Sequence, residues 1–145
     1  MVRSALLQVA GQLMARDIVV EAVGLDEPAS IRGDATQLQL AITNALRNAI
    51  EAIASTDATA GRIAVGLARR PRSLVLNIGD SGPGWSGAER DTTPFSTTKP
   101  SGSGIGLYVI RTVLRNHHGR LAFKTSPLGG AELRLQFPRV LAGRS

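Results

Sequence analysis

The sequence predicts an α+β domain with a mostly antiparallel sheet and helices on one face, and three observations predict it. Segments of helical and strand character alternate along the 145 residues, without an internal repeat or a low-complexity tract. One long stretch, residues 34–54, carries apolar side chains at helical spacing, whereas the β-branched runs are short and bounded by Gly, Pro and Asp. Two of those runs are separated by a turn alone, which is the mark of antiparallel pairing.

Residues 4–15 read as a short helix and 18–23 as a strand rich in β-branched side chains. Asp26, Glu27 and Pro28 mark a turn, and 30–32 a short extended piece. Asp34 caps a long helix that runs to Ala54 and ends in the polar stretch 55–61. Residues 63–69 and 74–78 are strands joined by a turn at Arg70, Pro71 and Arg72, and they pair as a hairpin. From Ser81 to Ser103 the chain is crowded with Gly, Ser, Thr and Pro and has no apolar period. It reads as one long loop, of the kind that in a compact domain is usually functional or disordered. Gly104 to Arg115 is helical, with Ile105, Tyr108, Val109, Thr112 and Val113 at core spacing, and strands follow at 120–124 and 131–137.

The length fits one domain, and folding buries roughly two-thirds of the unfolded surface, enough for a real core. The absence of cysteine excludes disulfides and thiolate metal sites and is compatible with a reducing cytoplasm. No apolar run approaches the roughly 20 residues of a membrane span, and the N-terminus lacks a signal pattern. The formal charge of +6 invites a nucleic-acid reading. The seventeen cations are dispersed, however, only Arg69, Arg70 and Arg72 cluster, and a single Trp and a single Tyr offer stacking. What remains is a preference for anionic ligands, with no nucleic acid and no membrane contact by this domain expected.

Three motifs carry chemistry. In the long helix, Leu38, Ile42, Ala45, Ala49 and Ile53 share one face, while Asn44 and Asn48, one turn apart, run along its flank. Asparagine is a poor mid-helix residue, so two amides at the rim of a core need a reason. An amide oxygen there can ligate a hard cation such as Mg²⁺, commonly held together with substrate phosphates; the alternative is a pair of amides capping a loop or facing water. The second motif is DSGPG, from Asp80 to Gly84, directly after the strand LVLNI. An aspartate leaving a strand can accept a hydrogen bond from an exocyclic amine such as that of adenine, and the glycines let backbone lie against a flat base; the plainer reading is a turn. The third is STTKPSGSGIGL, in which Gly102, Gly104 and Gly106 fall where a loop becomes a helix whose amides suit a phosphate. Thr97, Thr98 and Lys99 add hydroxyls and one of only two lysines. No strand immediately precedes these glycines and no acidic residue sits about 20 positions on, so a dinucleotide fingerprint is not the reading.

In this order and at these distances the blocks strongly resemble the catalytic ATP-binding domain of sensor histidine kinases. That domain lies within the superfamily of gyrase, heat-shock chaperone, histidine kinase and mismatch-repair ATPases (GHKL), whose nucleotide site is called the Bergerat fold. NALRNAIEA matches the asparagine box, DSGPG the first glycine box, PFSTTKP the phenylalanine-box and lid region, and GSGIGL the second glycine box. The tail NHHGRLAFKTSPLGGAELRLQFP looks like the closing strands, so the resemblance covers nearly the whole chain. The form of the lid is similar to the branch with the nitrogen-regulation and oxygen-sensing kinases.

The resemblance implies a two-layer α/β sandwich over residues 1–145, with 1–16 a junction helix toward a separate dimerisation and phosphoacceptor domain and 86–103 an ATP lid. It implies Mg²⁺ on Asn48 with Asn44 in support, adenine on Asp80, a base pocket shaped by Gly82 and Gly84, and phosphates under Gly102, Gly104, Gly106 and Leu107. Thr97, Thr98 and Lys99 would reach the phosphate tail. It further implies a cytoplasmic histidine kinase domain, in a soluble or membrane-anchored parent, that uses ATP and Mg²⁺ and feeds a response regulator indirectly. The chain departs from the pattern in several places. Gly79 stands where an acidic or polar residue is common, Trp85 where isoleucine is usual, Ser96 where a second phenylalanine is frequent, Glu51 where many relatives carry lysine, and Glu132 where threonine is often found beside the base. Arg47 projects away from the apolar face. Asn44 replaces the general-base glutamate of hydrolysing relatives and of anti-sigma serine kinases. His117 and His118 are the only histidines, lie in a helix-to-strand corner and have a structural role there, such as charge at the helix C-terminus, and no acceptor motif surrounds them. The other classes open to such a chain are a degenerate pseudokinase acting as an interaction module and an anti-sigma-type serine kinase.

Overall fold

The computed structural model describes residues 1–25, 33–85 and 106–139. The chain runs α1 (Val2–Gln8), α2 (Ala10–Ala15), β1 (Ile18–Val23), α3 (Ala35–Ala54), β2 (Gly61–Arg69), β3 (Ser73–Asp80), α4 (Gly106–Asn116), β4 (Arg120–Thr125) and β5 (Ala131–Pro138). The strands form one five-stranded sheet in the order β1-β2-β3-β5-β4. β1 and β2 are parallel, as the crossover through α3 requires, and the other pairs are antiparallel. The predicted two-layer α+β sandwich is the fold observed.

The single helix expected over residues 4–15 is two helices that meet at Val9, where φ is −103° and ψ 5°. Val9 N donates to both Ala5 O and Leu6 O at 3.3 Å, so the chain tightens locally, and the buried side chains Ala5, Val9 and Leu13 all reach the core. Helix α3 begins where the sequence places it. The Asp34 carboxylate accepts from Thr36 N at 2.9 Å and Gln37 N at 3.2 Å, satisfying two of the orphan donors of a helix start. Leu38, Ile42, Ala45, Ala49 and Ile53 are buried together with Ala41, Leu46 and Ile50, against Ile63, Val65, Leu76, Ile78, Leu133 and Leu135 of the sheet. Each of the large aliphatic side chains among these contributes about 1.5–3 kcal/mol by leaving water.

The hairpin of β2 and β3 turns at Arg70 to Arg72, and Arg70 N donates to Ser73 O at 2.9 Å. β3 extends two residues past the expected end, pairing Gly79 with Ala64 and Asp80 with Ile63, so Asp80 is the last residue of a central strand. Helix α4 buries Leu107, Ile110, Val113 and Leu114, and of the expected core stripe only Val113 is among them. Tyr108 is 41% exposed, Val109 and Thr112 are half-buried, and Ile105 lies outside the described residues. Both stripes fit a helical period; the one that packs is wholly aliphatic and keeps the hydroxyls of Tyr108 and Thr112 out of the core.

His117 has the structural role expected of it, by a different device from helix-end charge. Buried at the end of α4, its Nε2 accepts from Asp34 N at 3.0 Å and its Nδ1 donates to Val113 O at 2.7 Å. Donor and acceptor on one ring define an uncharged imidazole, which staples the start of α3 to the end of α4. His118 is exposed in the corner with φ 58°.

Candidate functional site

Asp80, only 4% exposed, emerges from the sheet beside α3, and its position is over-determined. Its Oδ1 accepts from Gly82 N at 2.8 Å and from Ala131 N at 3.2 Å, while its own carbonyl accepts from Gly130 N at 3.1 Å. A carboxylate so held presents a fixed, charge-assisted acceptor. The packing leaves no space for side chains around it. A Cβ on Gly130 would overlap Asp80 Oδ1 and stand 2.7 Å from Gly82 N, and one on Gly82 would stand 3.0 Å from both Ala52 O and Asp80 Oδ1. Gly84 has φ +90°, a backbone region that glycine adopts without penalty.

Helix α3 supplies the second wall. Asn44, Asn48 and Ala52 recur every fourth residue and so form one stripe along about 12 Å of helix. At one end Ala52 packs on Gly82 of the Asp80 turn. At the other, the Oδ1 of Asn44 lies 3.6 Å from where a Cβ on Gly106 would stand, at the first turn of α4. The Nδ2 of Asn44 donates to Leu40 O at 2.9 Å, which turns the amide oxygen outward. The stripe therefore joins the hydrogen-bonded Asp80 turn to a helix start with the positive end of its dipole. Among the described residues no three His, Cys, Asp or Glu side chains converge on a metal. Amide oxygens with ligand phosphates are the donor set this site offers a hard cation, and Mg²⁺ accepts such a set.

Of the residues singled out in the sequence, Asn44, Asn48, Asp80, Gly82, Gly84 and Gly106 come together here. Leu107 is buried in the core under the start of α4. Thr97, Thr98, Lys99, Gly102 and Gly104, and the lid at 86–103, lie outside the described residues. Arg47 is exposed, as the helix phase requires. At the departure from the family pattern at Glu132, the residue that abuts Asp80 is Ala131. Strand alternation sends Glu132 to the other face of the sheet, where its carboxylate accepts from Arg134 at 3.2 Å, and Arg134 Nε donates to Asn77 at 3.0 Å. The departure at Gly79 has a packing reason, since a Cβ there would stand 2.7 Å from the buried Ser126 Oγ. Sequence reading missed Gly130, Ala131 and Ser126; the paired glycines in SPLGGA were the available signal.

Trp85 follows the glycine turn directly. Its indole N–H donates to Lys124 O at 2.8 Å, and its ring meets Phe123 edge-on with centroids 4.9 Å apart. The glycine turn is thereby tied to β4.

A mixed sheet under two long helices, with an asparagine stripe facing a strand-end aspartate and its glycines, defines an ATPase domain of the Bergerat type. Residues 33–141 match the family described as histidine kinase-, DNA gyrase B-, and HSP90-like ATPase, and the chain belongs to that family. Among its relatives it is 31% identical over 113 residues to sporulation kinase B of Bacillus subtilis, covering 77% of this chain and 26% of that protein. It is 34% identical over 110 residues to the nitrogen regulation protein NtrY of Azorhizobium caulinodans, covering 72% of this chain and 14% of NtrY. The chain thus spans about a quarter or less of these relatives. Among solved structures it is similar to the mycobacterial sensor histidine kinase MprB, at 26% identity and TM-score 0.77 over 95% of this chain and 91% of that one. The ATP-binding domain of PrrB from Mycobacterium tuberculosis is similar at 25% identity and TM-score 0.69, over 95% of this chain and 90% of that one. The chain is a histidine kinase catalytic ATPase domain.

Proposed function

We propose that the domain binds ATP with Mg²⁺ and delivers the γ-phosphate to a histidine on a separate dimerisation domain, in a cytoplasmic two-component pathway that ends on a response regulator. The observation that carries this reading is the stripe of Asn44, Asn48 and Ala52 linking the start of α4 to Asp80. Adenine lies against Gly82 and Gly84, with its exocyclic amine on Asp80. The phosphates follow the stripe toward Gly106, where helix amides receive them. The amide oxygens of Asn48 and Asn44 hold the cation, which bridges and partly neutralises the phosphates. Residues 86–103, with Thr97, Thr98, Lys99, Gly102 and Gly104, are assigned as the lid on sequence grounds, and residues 1–16 as the junction to the dimerisation domain. The second assignment fits the packing of Ala5, Val9 and Leu13 into the core that also supports α3, because a helix so seated transmits its position to the site.

The test is calorimetric titration of the chain with ATP, with and without Mg²⁺, beside titration with GTP. Binding that needs Mg²⁺ and prefers ATP at least tenfold is the expected result. No binding of either nucleotide sinks the reading in favour of an interaction module.

A further inference from the structure

We propose that the corner between α4 and β4 is a docking cleft for an acidic side chain of a protein partner. The cleft, of about 330 Å³, is lined by Arg111, Leu114, Arg115, Gly119, Arg120 and Leu121. Arg111 and Arg115 lie one turn apart on α4, and Arg120 opens β4, so three arginines from two elements line the cleft. None of the three is in an ion pair among the described residues. The Nε of Arg111 is buried and has no hydrogen-bond partner. Buried donors are nearly always satisfied, and one left open on a charged group is costly, so an anion seated beside this guanidinium compensates it.

The chemistry of that acceptor follows from the lining. Arginine forks match the two oxygens of a carboxylate, and the floor of Leu114, 1% exposed, and the half-buried Leu121 receives methylene groups that a bare ion lacks. A glutamate or aspartate on a protein segment meets both demands. The recess suits a protruding side chain better than the plane of a membrane surface. The same end of the sheet carries Arg72 and Arg139, whose backbones are joined at 3.0 Å, and their field steers an acidic partner toward the cleft. The cleft is lined by the second half of α4, its arginines about 7–14 Å along the helix axis from Gly106 at the phosphate end of the site. It therefore serves recognition rather than nucleotide binding.

The experiment uses the whole chain and a fluorescein-labelled octaglutamate peptide, read by anisotropy at physiological salt, with the Arg111 Nε–Hε signal followed by NMR. Binding is expected to shift that signal and to weaken about tenfold in both Arg111→Gln and Arg120→Gln. The charge-matched control Arg16→Gln, just past the end of α2, is expected to bind normally, and octaglutamine not at all. Because Arg120 is exposed at a strand end, its variant decides the matter if Arg111→Gln loses its fold. Equal weakening by Arg16→Gln reduces the effect to diffuse charge and overturns the proposal. So does displacement of the peptide by equimolar inorganic phosphate, or binding to phosphatidylglycerol vesicles without binding to the peptide. ATP affinity is expected to stay unchanged in all three variants.

Discussion

Gly130 stands so close to Asp80 that a single methyl group on it would overlap the carboxylate oxygen that also holds Gly82 N and Ala131 N. The turn between β4 and β5 therefore sets the position of Asp80, the residue proposed to read the base, although fifty residues of chain separate the two. Gly130→Ala is expected to destabilise the fold by about 1–3 kcal/mol through overpacking and to weaken ATP binding in the protein that remains folded. Urea unfolding with and without nucleotide separates the two effects. Wild-type affinity in the folded variant would show that Asp80 tolerates the displacement.

Asp80→Asn keeps the shape and removes the charge. Loss of a charge-assisted hydrogen bond to the adenine amine costs about 1.5–3 kcal/mol, hence roughly ten- to hundredfold in ATP affinity. Thermal unfolding of the same variant checks that the turn survives. Unchanged affinity would remove Asp80 from the base pocket.

The proposed roles of the asparagine stripe and of Asp80 separate metal from base. Asn48→Ala is expected to reduce Mg²⁺-dependent ATP binding while leaving the affinity for adenosine, which has no phosphates for a cation to bridge, near wild type. Titration of both ligands into one preparation measures the split, and parallel losses would place Asn48 in the fold rather than in the metal site.

How much of this was legible in the sequence depends on how local the signal is. The cap at Asp34, the buried face of α3 and the flanking amides are fixed by residues within a few turns of one another, and each stands where the pattern puts it. The face of α4 was misread because two stripes share the helical period and only packing chooses between them. The face of the sheet that Glu132 takes was not legible for a related reason: a one-residue step in a strand moves a side chain to the other face, and motif matching leaves that register open. Gly130 and Ser126 act across the sheet, and no pattern within their own segment names Asp80 or Gly79 as the neighbour.

Trp85 replaces an aliphatic residue with one that makes a bond. Trp85→Phe keeps a ring against Phe123 and loses the donor to Lys124 O, which costs about 0.5–1.5 kcal/mol of stability. As the sole tryptophan in the chain, it is a reporter for the proposed base site. Its fluorescence is expected to change when ATP binds, and a signal indifferent to saturating nucleotide would place the base away from this wall.

His117 is the nearest thing in the chain to a buried phosphoacceptor, and its two hydrogen bonds argue against that role. Both ring nitrogens are engaged, one with the cap of α3 and one with the backbone of α4, so neither is presented to a nucleotide. The nucleophile of the proposed reaction must come from elsewhere and be brought in line with the γ-phosphate. The isolated chain is therefore expected not to label itself with γ-labelled ATP, and to label a supplied dimerisation domain whose product is acid-labile and alkali-stable. His117→Ala, expected to lower stability by about 1–3 kcal/mol, should leave that transfer intact at a temperature where the variant is folded. Alkali-labile phosphoserine on a partner would instead mark a serine kinase. Tight ATP binding without transfer would mark a domain that has kept the site and lost the reaction.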